Sequence, residues 1–468
     1  MRQKLWNRWF LLPLLAIIVI LIAFFTTSVS AEETTESPLS QEDVVVEEMP
    51  SEEVVPEPVI PESQPSEPVQ QPQAEEQVLK TQTAPENNVS DFASLKQQID
   101  QAQADTPVSI KITQGFDWTS TIYVNNSKHI ELTSDEPVVL LKNGSGYFFS
   151  ISNGTLLLNG SLVFDINGKG KGFYIGDNAN MEINDDVVIK KSSRPAIYMT
   201  GYDSEVVMNG GTMTENAGYR GSCVYLYMGT AWSGRNGGST FIMNDGVMEN
   251  NNATDGGGAV FIEGGGRFIM NGGVMRNNRS DHGGAVGTFD LWTYIVGKRA
   301  YTYRGNAIYT SGNISHPYSE WANYYPAAFI MNNGILENNR GRVGGAVYIA
   351  SSGCVINGGQ IINNYASSQG GGVYVSSVPY VLHISRAIVS GNSAYIGGGM
   401  WYCPTGEAKI TVTDGTAIYE NNASGAGDDF AAVISSYSIW GDRPSTTISD
   451  RMLGGGKNVW VRDGAVYR

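Results

Sequence analysis

Apolar positions recur along this chain in a fixed frame. Thr133, Asn159, Asn184, Asn209, Asn244, Asn271, Asn332, Asn357, Ser385 and Thr413 fall in one column, most of them 25 to 28 residues apart. Three residues before each stands an apolar residue, from Ile130 and Leu156 through Phe241, Phe268, Phe329 and Cys354 to Leu382 and Ile410. One residue before each stands another, from Leu132 and Leu158 through Met243 and Met270 to Ile384 and Val412. The column between them holds Glu131, Glu182, His383 and Thr411 among others. This is period two, a strand with one face buried, and it places Cys354 inside and His383 outside. A second apolar piece follows ("GVMENN", "GILENN", "GQIINN", "TAIYENN") and ends in pairs such as Asn250-Asn251, Asn277-Asn278, Asn338-Asn339, Asn363-Asn364 and Asn421-Asn422. Asparagine accepts the left-handed conformation of a tight bend, and stacked amides bond from coil to coil. A third piece ("GGAVFI", "GGAVYI", "GGGVYV") follows a glycine turn. Each repeat therefore holds three short strands and three turns, with no room for a helix.

A period of this length means a solenoid or a propeller. The Leu-x-x-Leu-x-Leu frame of a leucine-rich repeat is missing, and a propeller blade needs about 40 residues. The remaining solution is an all-β parallel β-helix of about ten coils, spanning roughly 45 to 50 Å at about 4.8 Å per coil. Each coil can bury its apolar face only against its neighbours, which is why the chain repeats itself. The stretch "SDFASLKQQIDQA" has helical spacing at Phe92, Leu95 and Ile99, with Ser90 or Asp91 as N-cap, and is expected to plug the N-terminal end of the core. Residues 434–468 break the repeat and are read as a C-terminal cap region.

Two features of the third strand are candidates for function. Two residues after its small Gly, Ala or Cys position stand Phe148, Tyr174, Tyr198, Tyr225, Phe261, Gly287, Tyr348, Tyr374 and Trp401. Their neighbours in sequence, such as Val260 and Ile262, are the inward ones, so the aromatics form an outward ladder. Tyrosine suits that place, because its ring is apolar and its hydroxyl stays wet. The ladder either braces the sheet across coils or offers a flat platform for sugar rings or an extended peptide. The second feature is a pair of insertions at the same turn, two coils apart: about Gly229 to Ser239, with Trp232 and Arg235, and about 288–327. The larger starts at Gly287, the gap in the ladder, and carries Trp292, Tyr294, Tyr301, Tyr303, Tyr309, Trp321, Tyr324 and Tyr325, with Lys298, Arg299 and Arg304. Long loops on a rigid scaffold are the usual seat of function.

Composition adds the context. The 468 residues carry a net charge of −16. Nearly all of it lies in residues 32–88, a Pro/Glu-rich stretch with fifteen acids and a single lysine, Lys80. Such a segment cannot bury enough apolar surface to fold and is expected to be a disordered stalk. Ahead of it, Arg2, Lys4 and Arg8, the apolar run Phe10 to Phe25, and Val29-Ser30-Ala31 make an export signal at residues 1–31, either cleaved or retained as a membrane anchor. A secreted or surface-exposed bacterial protein is expected. Nucleic acid is an improbable partner for so acidic a chain. The three cysteines, Cys223, Cys354 and Cys403, have no metal or redox spacing and are read as buried free thiols. The four histidines show no metal spacing either, and no cofactor is expected.

The combination of "GGAV", "VMENN" or "ILENN", and "MNGG" resembles the right-handed parallel β-helix surface proteins of Gram-positive bacteria. It is also similar to the GGA-[ILV] and FxxN repeats of polymorphic outer-membrane proteins. The resemblance covers about Ser90 to Val433 and implies the right-handed fold shared with pectate lyases, here residues 89–433. That fold hosts lyases, hydrolases, adhesins and passive stalks. The wall-sorting motif of many Gram-positive relatives is missing, which leaves N-terminal retention, release or a longer parent chain as alternatives. "DHGG" at Asp281 to Gly284 is similar to the Gly-His-Gly of polygalacturonases, but His282 occupies a variable turn and is read as a turn histidine. Cleavage of an acidic polysaccharide needs a base, for which Lys298, Arg299 and Arg304 are candidates, or paired carboxylates for hydrolysis. Asp185-Asp186 and Asp428-Asp429 lie too far apart to pair.

The expectation is thus a non-enzymatic surface rod that binds a glycan or a host or matrix ligand. Its site residues would be Tyr174, Tyr198, Tyr225, Phe261, Trp292, Tyr301, Tyr303, Trp321, Tyr348, Tyr374 and Trp401. A secreted polysaccharide lyase or hydrolase is the first alternative, favoured by any outward carboxylate cluster beside the insertion. A passive spacer is the second.

Overall fold

The computed structural model describes residues 87–184, 186–227, 238–289, 328–351, 354–376, 381–402, 407–410, 416–432 and 446–448. The expected export signal, nearly all of the stalk, the bodies of both insertions and most of the C-terminal region lie outside the described residues. Short strands stack into three parallel sheets of 13, 11 and 11 strands, and each sheet takes one strand from each coil in turn. The chain is an all-β parallel β-helix of about eleven coils, close to the ten expected.

The apolar columns predict the register of the first sheet. Ile130 pairs with Leu156, Leu156 with Met181, Met181 with Val206, and Val206 with Phe241. All five are buried, as are Cys354 and Cys223, while His383 is exposed. Phe241, Phe268 and Phe329 stack inside at 5.1 and 5.3 Å between centroids. The alignment fails at the last full step, where Leu382 pairs with Ala408 and Ile384 with Ile410. Ile410 thus continues the second apolar column rather than the first. Two strands were not anticipated. Asn87–Val89 pairs with Ile110–Ile112, so the solenoid begins two residues before position 89, and Thr446–Ile448 pairs with Ala408–Ile410 inside the expected cap region.

The Asn pairs divide their work. The first member takes positive φ (Asn250 57°, Asn277 55°, Asn338 54°, Asn363 56°) and turns the chain. The second is buried, and its Oδ1 accepts from the backbone N–H and Nδ2 of its counterpart one coil earlier; in Asn421-Asn422 the roles sit one residue earlier, with Glu420 at φ 53° and Asn421 buried. This ladder runs from Asn251 through Asn278, Asn339, Asn364 and Asn392 to Asn421, and ends on the Asp429 carboxylate. A second, outer amide ladder links Asn184, Asn209, Asn244, Asn271, Asn332 and Asn357 along the repeat column itself.

After the Asn turn the coil gains a fourth short strand that the sequence pattern did not predict. It includes Asn252–Gly256, Arg340–Val343 and Tyr365–Gln369. The following Gly-Gly is explained by two different constraints. Gly257 has φ +55°, and a Cβ there would stand 2.0 Å from the Val260 carbonyl oxygen. At Gly258 a Cβ would stand 1.8 Å from the carbonyl oxygen of Gly284 on the next coil. The first glycine is needed to turn and the second to stack.

The helix forms at Phe92–Gln101, with Asp91 as its N-cap accepting from the Ser94 N–H at 2.9 Å. Leu95 and Ile99 are fully buried, and Phe92 meets Trp118 edge-on at 5.3 Å. Lys128 Nζ donates to the carbonyls of Ile99 and Asp100 at 2.8 and 3.0 Å, which satisfies the last turn.

Candidate functional site

The third sheet orders the ladder as the sequence implied from Tyr174 onward. Tyr174, Tyr198, Tyr225, Phe261, Gly287, Tyr348, Tyr374 and Trp401 are directly opposed, coil after coil. Phe148 is not a member. The register puts Ser150 beside Tyr174, and Phe148 is fully buried against Phe164 and Trp118. Phe148 lies one residue before its strand, Phe149–Ile151, so the alignment on that coil was out of step by two.

Ring geometry divides the ladder. Tyr174, Tyr198 and Tyr225 are half-buried and tilted, with interplanar angles of 48° and 52°. Tyr227, two residues after Tyr225 at the end of the same strand, lies parallel to Tyr198 at 6.2 Å and is 40% exposed. Tyr348, Tyr374 and Trp401 stack face to face at 5.3 and 4.5 Å. In that run each ring covers its neighbour; Tyr348 and Tyr374 are half-buried, and Trp401 is buried, with its indole N–H unpartnered among the described residues. Burial and neighbouring tyrosines push the Tyr198 phenol up to about 12, and burial raises that of Tyr348. These phenols stay protonated and act as neutral donors.

Phe261 and Gly287 form no open gap. Phe261 is buried, and its ring lies over both Gly256 and Gly287, where an added Cβ would come within 2.4 and 2.9 Å of it. The Arg220 guanidinium sits 4.9 Å above that ring and 5.6 Å from Phe289, the last described residue before the larger insertion. Arg220 Nε donates to Asp255 Oδ2 at 2.6 Å and Nη1 to Glu263 Oε2 at 3.3 Å. Glu263 also accepts from the Tyr225 hydroxyl. Burial and this carboxylate hold the Tyr225 phenol far above its ordinary value.

The network continues along the axis. His282 Nδ1 lies 2.8 Å from the Asp255 carbonyl oxygen, and its Nε2 lies 3.0 Å from Arg342 Nη2. A guanidinium only donates, so Nε2 must accept and Nδ1 carries the proton. His282 lies in register with the fourth strand, bridging Gly256 and Val343, rather than in a turn, and both of its ring nitrogens are engaged. Its ring meets Tyr348 edge-on at 5.0 Å and bridges the ladder past Gly287.

An outward carboxylate pair therefore does stand beside the insertions, which the sequence reading did not find. Its signal lay in the residues before each Gly turn: Arg220, Asp255, Asp281-His282 and Arg342. These turns vary in sequence from coil to coil, yet their charges are complementary. The two insertions leave the same sheet after Val224–Tyr227 and Val286–Phe289, with one strand between them, as the spacing implied. Trp232, Arg235, Trp292, Lys298, Arg299, Tyr301, Tyr303, Arg304 and Trp321 lie outside the described residues. Among the described residues no three His, Cys, Asp or Glu side chains come together as a metal site, and no helix is long and apolar enough to cross a membrane. The fold defines the class as a parallel β-solenoid. Comparison with known protein families, with curated proteins and with solved structures finds no match to this chain.

Proposed function

We propose that this protein is an exported bacterial surface rod that binds a glycan along its third sheet without cleaving it. The observation that carries this reading is the column of the third sheet that is aromatic on every coil from Tyr174 to Trp401 except at Gly287, with Phe261 and Trp401 buried and the tyrosines half-buried. A regular solenoid presents such a stripe at a constant spacing of about 4.8 Å, which suits an extended, repeating ligand better than a compact one. The hydroxyl edges of Tyr348 and Tyr374 supply hydrogen bonds. The exposed rings of Tyr227 at the edge of the third sheet and of Tyr219 on the adjoining fourth strand, the latter 65% exposed, supply the stacking surfaces. The aromatic insertion at 288–327 borders this stripe in sequence, and Trp292, Tyr301, Tyr303 and Trp321 are its candidate contacts. The export signal and acidic stalk would hold the rod away from the cell.

A second reading is favoured by the convergence of Asp255 and Glu263 on Arg220 at the foot of both insertions. Two carboxylates in one outward site are what polysaccharide hydrolysis requires. In this arrangement, however, both are engaged by the guanidinium, and Glu263 also by Tyr225. One experiment separates the readings. The full chain is applied to a polysaccharide array, and binding is scored beside release of reducing or unsaturated ends. Binding without product, weakened at least tenfold by Tyr227→Ala or Tyr374→Ala, is expected. Product release abolished by Glu263→Gln would replace the rod with an enzyme, and no binding to any polymer would overturn the glycan reading.

A further inference from the structure

A second column runs beside the tyrosine ladder, made by residues that enter the third sheet from the preceding turn. The Phe148 N–H donates to the Gly172 carbonyl at 2.6 Å and the Gly172 N–H to that of Ala196 at 3.0 Å. This stacks Tyr147, Lys171 and the Arg194-Pro195 turn on three successive coils. Lys171 Nζ lies 3.6 Å from the centroid of Tyr198, 5.8 Å from that of Tyr147 and 3.5 Å from the Tyr147 hydroxyl. Arg194 is exposed one coil further on, close enough that its charge, after burial, helps lower the Lys171 pKa. Beneath them lies Lys142, only 1% exposed, whose ammonium donates to the carbonyls of Gly146, Lys169 and Lys171. Lys169, exposed beside it, reaches only the carbonyl and side-chain oxygens of Asn143.

Four cations thus meet at one corner of the rod, and among the described residues no carboxylate pairs with any of them. The next cation along this edge behaves differently. Arg220, one coil beyond Arg194, holds both Asp255 and Glu263. The same edge of the same fold has neutralised one guanidinium twice over and left its neighbours unneutralised. Nor does composition force the excess, since the chain outside residues 32–88 carries no net positive charge. Gathering like charges costs free energy, and an anion held between them recovers it. The aromatic walls narrow the choice of anion. Tyr147, Tyr174, Tyr198 and Tyr227 line the outward side of the corner, with Tyr147 and Tyr174 at 5.5 Å.

We propose that this corner binds an acidic polysaccharide through one anionic group, a carboxylate or sulfate, carried on a pyranose ring. Arg194 supplies the fork that matches such a group, and Lys171 a second point charge. The C–H face of the ring lies against the tyrosines. Lys142 does not touch the ligand. It is a positioning residue, pinning the backbone that presents Lys169 and Lys171 and adding a fixed charge behind them.

This inference rests on the glycan-binding reading of the ladder, and its test separates the two. Affinity electrophoresis of the full chain would use gels holding polygalacturonate, chondroitin sulfate or neutral dextran, at low and high salt. Retardation by an acidic polymer at least tenfold stronger than by dextran is expected, weakening as salt rises. The double variant Lys171→Gln, Arg194→Gln should lose that advantage while keeping its retardation by dextran and its thermal melt. The stronger of the two acidic gels identifies the anionic group. Equal retardation by acidic and neutral polymers, or an unchanged double variant, would overturn this inference alone. No retardation by any polymer would overturn it together with the glycan reading.

Discussion

A lysine without a counter-ion is buried at a corner of the solenoid, and its protonation should be measurable in the stability of the whole. Burial alone lowers the Lys142 pKa from 10.5 to about 8. Between those values the unfolded chain holds a proton that the folded chain has lost. Stability therefore rises as pH climbs from about 8 to about 10.5, and below pH 8 the full cost of the buried charge is present. Urea midpoints of the wild type should climb through that window. The same series on Lys142→Met should lose the climb while lying lower at pH 7, because three carbonyls lose their donor. A wild-type midpoint that is flat or falling from pH 8 to 10 would show that the ammonium is not held as described. At this scale the sequence was a poor guide. Lys142 reads as one more polar residue in "VVLLKNGSG", and nothing local marks it as buried. The carbonyls that take its protons come partly from Lys169 and Lys171, one coil away, where only stacking can bring them.

At the scale of the element, the two asparagine ladders offer an internal comparison. Asn278 is fully buried. Its Oδ1 accepts from the Asn251 backbone and side chain, and its Nδ2 donates to Asn339 Oδ1 and the Met248 carbonyl. Asn278→Ala leaves several buried polar groups without partners and should cost about 3 kcal/mol, since each such group costs about 1–3 kcal/mol. Asn271, in the exposed ladder, loses bonds that water replaces, and Asn271→Ala should cost less than about 1 kcal/mol. Chemical denaturation of both variants checks the pair, and similar costs at the two sites would mean that burial does not govern these amides. The Asn-Asn motif was legible as a bend with amide stacking. Which member turns and which stacks was not, because both positions hold the same residue and differ only in φ. The strand alignment succeeded where two apolar columns constrained it, and slipped at Phe148 and Ile410. At those ends the repeat is irregular, and a two-residue shift preserves the alternation of inside and outside.

At the scale of the whole molecule, a solenoid has two ends at which stacking stops. The helix Phe92–Gln101 covers one of them, with Leu95 and Ile99 sealing the core around Trp118 and Ile122. Leu95→Asp puts a charge into that seal and should expose the first coil as an unprotected edge. Loss of about 3 kcal/mol is expected, with concentration-dependent association on size-exclusion chromatography. A monomeric variant of unchanged stability would show that the helix is not a cap. The cap was legible in the sequence because it depends on a local signal, a 3.6-residue spacing behind an N-cap aspartate.

The same distinction runs through the protein. Sequence alone determined the coil, its period, the inward columns, the glycine turns and the existence of an outward aromatic stripe. Each of these is written within one repeat by the alternation of apolar and polar residues. Only the tertiary structure decided the orientation of the rings, the closure of the Gly287 gap by Phe261 and His282, the convergence of Asp255 and Glu263 on Arg220, and the unneutralised corner at Lys171 and Arg194. These depend on residues 23 to 66 positions apart that meet only when one coil settles on the next. That lateral register carries no signal inside any single repeat.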